Sequence, residues 1–298
     1  SGFKDSGFTV DIATGKSEAE LISIIPDYDA MIVRSETKCS APIIEAAANL
    51  KIIARAGVGV DNIDVAAATK KGIIVVNSPE GNTIAAAEHT FAMMMASSRN
   101  IPQAAASLKS GKWEKGKFLG SELYNKTLGI IGIGKIGSRV AGYAIGLGMK
   151  VICYDPYVTD EYVKKLGIEQ KDLNDVLKVS DYITVHIPKT KETYHLIDKE
   201  KISLMKNGVR IVNCARGGII DEGALLDAIK SKKIASAAMD VFEVEPACGN
   251  ALINEDKVVA TPHLGASTEE AQINVAVDVV EQIMDVLKGE AARSAVNI

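Results

Sequence analysis

Hydrophobic positions in this chain fall in short unbroken runs, not in strict alternation, and the runs return at regular intervals. Ala30-Met-Ile-Val33, residues 51–54 and Gly72-Ile-Ile-Val-Val76 are the first three. Apolar runs of that length, bounded by turn residues, predict strands buried on both faces, as in parallel sheets. Segments of helical character lie between them. Ser17-x-x-Glu20 is a capping-box pattern ahead of a short helix. Residues 40–48 carry Pro42 in the first turn, and 65–71 form a third helical stretch. Asn77-Ser-Pro79 breaks the rhythm and is expected to be a hinge. A long, largely apolar helix is predicted over 83–98. Beyond it 101–126, with Gly111, Trp113, Gly116 and Gly120, reads as polar and irregular, either an interface arm or a surface loop.

The rhythm resumes at Thr127, with strands predicted at 128–133, 151–155, 181–187, 210–214, 235–242 and 257–261 and helices between several of them. Such alternation predicts a doubly wound, mostly parallel sheet. Its first strand runs into Gly132, Gly134 and Gly137 in G-x-G-x-x-G spacing, with a helix predicted over 138–147. In that context Gly132 allows the tight turn, Gly134 lets backbone N–H groups approach a pyrophosphate, and Gly137 lets helix pack on strand. Asp155 ends the next strand, near the ~20-residue offset of a carboxylate that binds a ribose 2′-hydroxyl. It would repel a 2′-phosphate, and Pro156 and Tyr157 follow where an NADP site would want arginine, so NAD is the expected cofactor.

Pro262 marks a second hinge at 262–266, Ser267-Thr-Glu-Glu270 opens a helix to about residue 287, and the tail 295–298 is expected to return as a strand. The expected fold is α/β with two Rossmann-like doubly wound domains. The NAD domain, 79–266, carries a dimerisation arm at about 97–126. It is inserted into a discontinuous, flavodoxin-like substrate domain of 1–78 and 267–298.

Composition narrows the partners. The 298 residues suit about two domains of ~150 residues. A formal net charge of −4 argues against a nucleic-acid face driven by bulk charge. No apolar run reaches the ~18 residues of a membrane span, and the amino terminus has no signal-peptide pattern. Cys39, Cys153, Cys214 and Cys248 are too scattered for a metal site or a disulfide framework; reduced thiols in the cytoplasm, with no metal, are expected.

Three polar residues fall just past predicted strands, where ligands collect in open α/β sheets: Arg216, Glu245 and His263. Oxidising a hydroxy acid with NAD needs a base for the hydroxyl proton, a carboxylate to hold that base, and a cation for the substrate carboxylate. Histidine suits the first role because its pKa lies near neutrality. Glutamate would orient the ring, and arginine offers a fork matched to a carboxylate. In the first domain Arg34, followed by Ser35, and Arg55 each end a short strand, and Gly57-Val58-Gly59 offers backbone N–H groups. Two arginines and an N–H nest suit a phosphate and a carboxylate together.

The runs Val33-Arg-Ser-Glu-Thr-Lys38, Arg55-Ala-Gly-Val-Gly-Val-Asp-Asn62, 127–137, Asn213-Cys-Ala-Arg-Gly-Gly-Ile-Ile-Asp221, Asp240-Val-Phe-Glu-Val-Glu-Pro246 and Pro262-His-Leu-Gly-Ala-Ser-Thr268 resemble the D-isomer-specific 2-hydroxyacid dehydrogenases, in particular their phosphoglycerate-oxidising branch. The resemblance covers nearly the whole chain in order. It implies Arg216, Glu245 and His263 as the catalytic set. It also implies nicotinamide contacts from Cys214, Ala215, Arg216, Asp240 and Gly265, phosphate contacts from Lys135 and Ile136, and a cofactor-side place for His186 and Pro188. A phosphorylated 2-hydroxy acid is the implied substrate and a homodimer the implied assembly, with a tetramer as the alternative. A basic residue of the arm (Lys112, Lys115 or Lys117) would approach a neighbour's substrate. Position 58 is Val where some relatives have Thr. The sequence opens after the relatives' first strand, so either the domain lacks that strand or the sequence starts late. It stops before the regulatory domain of larger relatives, so feedback by serine is not expected. Closure of the domains about 77–79 and 262–266 would exclude water. The rival readings are a glyoxylate/hydroxypyruvate reductase and a non-catalytic, NAD-sensing scaffold like the family's corepressors.

Overall fold

The computed structural model describes residues 7–298, which form two compact units. One comprises the residues up to Thr83 together with Ala266–Ile298, the other Ile84–Gly265. In chain order the elements are α1 (Glu18–Ile24), β1 (Ala30–Val33), α2 (Ala41–Ala46), β2 (Ile52–Arg55), α3 (Val65–Lys70), β3 (Ile74–Asn77), α4 (Thr83–Ser98), α5 (Ile101–Lys109), β4 (Thr127–Ile131), α6 (Lys135–Gly146), β5 (Lys150–Tyr154), α7 (Asp160–Lys165), β6 (Glu169–Gln170), α8 (Leu173–Val179), β7 (Tyr182–Val185), α9 (Lys199–Leu204), β8 (Val209–Asn213), α10 (Glu222–Lys230), β9 (Ile234–Met239), β10 (Val258–Ala260) and α11 (Glu269–Leu287).

In the first unit β1, β2 and β3 pair in parallel in that order, Val33 opposite Arg55 and Arg55 opposite Asn77. Successive side chains along β2 point to opposite faces. Ile53 packs with Leu21, Ile43, Ile44 and Ala68 from α1, α2 and α3, while Ile52 and Ala54 pack on Val279 and Ile283 of α11. Both faces are therefore covered, which is why the strands read as unbroken apolar runs. Ser17 caps α1 in the reciprocal arrangement with Glu20 that the sequence pattern predicts. The tail returns to β3 as a single antiparallel bridge, Val76 with Ala295, and not as the strand expected. Asn297 takes over part of the ladder instead: its side-chain oxygen accepts from Val75 N at 2.8 Å.

The second unit holds a parallel sheet in the order β10-β9-β8-β7-β4-β5-β6. The chain starts in the middle at β4, runs outward through β5 and β6, then crosses to β7 on the other side of β4. That reversal opens a crevice at the carboxyl ends of β4 and β7, where ligands bind in such sheets. Ile130 and Val212 face Met94 of α4 and Val140, Ala141 and Ala144 of α6. Ile131 and Ile211 face Ile202, Leu225 and Ile229 of α9 and α10.

Two expectations change. Residues 101–126 are not irregular throughout: α5 occupies the first third and a short 3-10 turn covers Lys115–Phe118. Pro102 in the first turn and the alanines 104–106 favour helix, a signal the glycines of the segment obscured. Strand 235–242 ends at Met239, so Asp240 to Glu245 belongs to a loop.

Candidate active site

Because every strand of the second sheet is parallel, all the carboxyl ends lie along one edge, and the segments after β4, β5, β7, β8, β9 and β10 meet there. After β4 the backbone turns at Gly132, whose φ is +93°. A Cβ there would lie 2.7 Å from the His186 carbonyl oxygen, so the position needs glycine on both counts. α6 starts at Lys135, earlier than the predicted 138, with Gly134 as its N-cap; Lys135, Ile136 and Gly137 form its first turn. A Cβ on Gly137 would sit 2.2 Å from Gly132 O, whereas the space over Gly134 is open. The first-turn N–H groups of a helix lack intrahelical partners and favour an anion.

Asp155 is buried at the end of β5. Its carboxylate accepts from Ile133 N at 2.9 Å and from Tyr157 N at 2.9 Å, which ties it to the glycine-rich turn and leaves lone pairs for a further donor. His186, after β7, shares a 3.0 Å hydrogen bond with Thr184 Oγ1, and burial lowers its pKa to about 4. Its folded pKa lies below its unfolded one, so the unfolded chain binds the proton first. Stability is full above about pH 6.5 and declines as the pH falls towards 4, by no more than about 3 kcal/mol. Urea unfolding across that range should show the slope in the wild-type chain and a flatter one in His186→Leu.

β8 delivers Asn213, Cys214, Ala215 and Arg216. Asn213 organises this loop: its amide nitrogen donates to Arg216 O at 2.9 Å and its amide oxygen accepts from Ala215 N at 3.0 Å. Arg216 is part-buried, with its guanidinium also donating to Ala215 O at 2.7 Å. Burial pushes the Cys214 thiol up, and the charge of Asp240 adds to this, so Cys214 stays a neutral thiol. Gly217 is in backbone contact with the loop after β9: a Cβ on it would meet Phe242 O at 1.7 Å. That second loop is held by Glu243 and Glu222, each of which accepts the other's backbone N–H, at 2.6 and 3.2 Å.

At the far end of the loop Glu245 Oε1 accepts from Phe242 N at 3.0 Å, and Oε2 lies 2.8 Å from His263 Nδ1. Burial alone would raise the Glu245 carboxyl; the bonds from His263 and Phe242 N and the His263 charge outweigh it and hold the group below its ordinary range. An ionised Glu245 can only accept, so Nδ1 carries the hydrogen, and in the neutral ring Nε2 presents a lone pair. His263 has φ +56°, a left-handed conformation costly for a residue with a Cβ.

Asp240 anchors that turn from below and has no exposed side-chain surface. Its Oδ1 accepts from Thr261 Oγ1 at 2.5 Å and Leu264 N at 2.7 Å, and its Oδ2 from Gly265 N at 2.8 Å. His89 Nε2, from α4, lies 3.2 Å from Oδ1. Burial works to raise the Asp240 carboxyl, and the bonds from His89, Thr261 and Leu264 overcome it, leaving the carboxylate charged. Ligand atoms of His89, Cys214 and Asp240 lie within 4.8 Å of one another, but the carboxylate already accepts from four protein donors. Sequence reasoning missed His89, which stands alone in a helix read as apolar.

The first unit places Arg34 and Arg55 at the carboxyl ends of neighbouring strands, Arg34 and Ser35 exposed and Arg55 part-buried. Asn62 fixes the loop that follows, donating to Arg34 O at 2.8 Å and Thr37 O at 2.6 Å. The nest is smaller than expected. Gly57 N donates to Arg55 O at 2.8 Å, while among the described residues Val58 N and Gly59 N have no partner. Of the arm lysines, Lys117 pairs with Glu114 at 2.6 Å.

Residues 91–265 match the family described as D-isomer specific 2-hydroxyacid dehydrogenase, NAD binding domain. The chain is 59% identical to the D-3-phosphoglycerate dehydrogenase of Synechocystis over 97% of its length, and 47% identical to the human protein of that name over 99%. It covers 52% and 55% of those two proteins, so it spans about half the length of the curated relatives it matches. Among solved structures, the D-lactate dehydrogenase of Aquifex aeolicus in complex with NAD and lactic acid superposes with a TM-score of 0.87 at 33% identity, over 100% of this chain and 94% of that one. The TT0316 protein of Thermus thermophilus gives 0.91 at 31% identity, over 99% and 94%.

Proposed function

Since the chain belongs to the family of D-isomer specific 2-hydroxyacid dehydrogenases, we propose that it oxidises 3-phospho-D-glycerate to 3-phosphohydroxypyruvate with NAD, the first step of serine biosynthesis. The observation that carries this reading is the 2.8 Å His263–Glu245 pair on the same sheet edge as the glycine-rich turn and Arg216. His263 Nε2 takes the C2 hydroxyl proton, and the resulting imidazolium is stabilised by Glu245. Arg216 grips the carboxylate and polarises the forming carbonyl oxygen. Gly134, the first turn of α6 and Asp155 hold the cofactor's phosphates and ribose, with Cys214, Ala215, Asp240, Gly265, His186 and Pro188 along the nicotinamide side. Bound NAD supplies the two-electron acceptor for the C2–H bond.

Arg34, Arg55 and the N–H groups of Val58 and Gly59 take the phosphate, with Ser35 and Gly57 beside them. The phosphoglycerate dehydrogenase names of the most similar curated relatives support that choice. Comparing kcat/KM for 3-phospho-D-glycerate and D-glycerate tests it. A preference of about 100-fold or more is expected from a site built for a phosphate, and equal values would leave a hydroxypyruvate or glyoxylate reductase as the better reading. Asp155→Asn, which keeps an oxygen for Ile133 N but drops the charge, should cut the preference for NADH over NADPH by about 10-fold or more in fluorescence titration.

A homodimer through the arm is supported by Trp113 and Leu119, 82% and 89% exposed, beside Ile101 and Leu108 on α5. No helix among the described residues is long and apolar enough to cross a membrane, and a cytoplasmic place is part of the same proposal.

A further inference from the structure

We propose that His89 is a positioning residue for the base: through Asp240 it holds the turn that carries His263. The catalytic half of this inference rests on the function proposed above; the structural half does not. Four observations lead to it. Asp240 is a carboxylate without exposed surface, and Oδ1 takes three donors: Thr261 Oγ1, Leu264 N and His89 Nε2. His89 is an ionisable side chain in direct contact with that carboxylate, at 3.2 Å. The turn 261–265 closes on Asp240 from every side, with Thr261 Oγ1, Leu264 N and Gly265 N on its side chain and His263 N donating to its carbonyl at 2.8 Å. Within that turn His263 sits at φ +56°, a conformation that persists only while its surroundings over-determine it.

The chain of causes is short. A buried charge is tolerated where its lone pairs are filled, and removing one of its donors leaves it less well compensated. An ionised carboxylate only accepts, so His89 Nε2 carries the hydrogen of the 3.2 Å contact, and the same nitrogen lies 3.2 Å from Thr261 Oγ1. His89 is thus packed over the Thr261–Asp240 bond, and from the same helix Met93 Sδ lies 3.7 Å from Thr261 Oγ1. Without it Asp240 turns towards water or gains a proton, and Leu264 N and Gly265 N lose a charged acceptor. The left-handed residue relaxes, and Nδ1 of His263 loses its alignment with Glu245. The substrate cations Arg34, Arg55 and Arg216 hang on other loops, so the loss is one of chemical rate and not of substrate binding.

Two variants separate this from a general structural role. His89→Leu removes the donor; His89→Gln keeps one, because the glutamine amide nitrogen reaches the place of Nε2. With saturating NAD, His89→Leu should lower kcat by about 10–100-fold while KM for phosphoglycerate stays within about 3-fold, and His89→Gln should return kcat to within about 5-fold of wild type. In the cofactor-free proteins, hydrogen–deuterium exchange at Leu264 and Gly265 should be about 10-fold faster in His89→Leu and unchanged in His89→Gln, with Ile183 and Thr184 of β7 unaffected in both. Should the leucine variant misfold, His89→Asn, too short by one methylene, takes its place with the same expectation. Unchanged exchange at 264–265, a kcat within two-fold of wild type, or a glutamine variant no better than leucine overturns the inference. If wild type does not turn over phosphoglycerate, the proposed function fails, and the exchange measurement still decides the role of His89.

Discussion

His263→Ala should lower kcat by about 10³–10⁴-fold and leave the affinity for NADH within about two-fold of wild type. In the proposed mechanism the His263 ring is the base, with Nδ1 held by Glu245 at 2.8 Å and Nε2 of the neutral ring left to accept. Alanine removes the proton acceptor but not the backbone N–H of residue 263 that donates to Asp240 O at 2.8 Å, so the turn and the cofactor side stay in place. Steady-state rates with phosphoglycerate and fluorescence titration with NADH check the two halves. More than a tenth of wild-type turnover in the variant would remove His263 from the mechanism. Glu245→Gln should cost less, about 100-fold, because the ring remains but its hydrogen is no longer held by a charge. Glu245 has its pKa held down in the folded chain. The stability that reflects is present above its ordinary range and lost as the pH falls through the lowered value, so Glu245 does not titrate near neutrality.

Gly217→Ala should be the most damaging small substitution, at about 3 kcal/mol or more. The added Cβ would sit 1.7 Å from Phe242 O and 2.0 Å from Phe242 C. Both are backbone atoms, so no rotamer change relieves the overlap, and the segment after β9 has to move. That segment leads to Glu245, so catalysis should fall with stability. Gly116→Ala is the control: no atom lies within 4 Å of the new methyl, and a change within about 0.5 kcal/mol is expected. Urea unfolding of the two variants reads the difference directly; similar midpoints would show that the loop yields.

The sheets were legible because their strands are buried on both faces. Ile52 and Ile53 both meet cores, and so do Ile130 and Ile131, which is why the runs carry no polar interruption. The glycine-rich turn was legible because Gly132 and Gly137 each answer a backbone demand. Strand ends were less so: Val241 and Phe242 resume the apolar composition of β9 past Asp240, but the backbone of 240–242 serves the turn at Thr261 and the crossing with Gly217. Gly134 as a helix cap was hidden by the low helix propensity of its neighbours, and α5 by the glycines beyond it. His89 was out of reach for a different reason. Its contact with Thr261 joins positions 172 apart, and nothing local distinguishes a histidine that meets a buried carboxylate from one that meets solvent.

The crossing of Gly217 with Phe242 also governs how this scaffold can be altered. Arg216 stands one residue before the crossing on one strand of backbone, Glu245 three residues after it on the other. Grafting a new substrate loop from a relative after β8, while leaving the loop after β9, would set two backbones of independent origin at a crossing with no room for a Cβ. Segments 213–218 and 240–246 therefore form one exchangeable cassette, and chimaeras whose breakpoints fall between them should be recovered far less often than chimaeras that carry both.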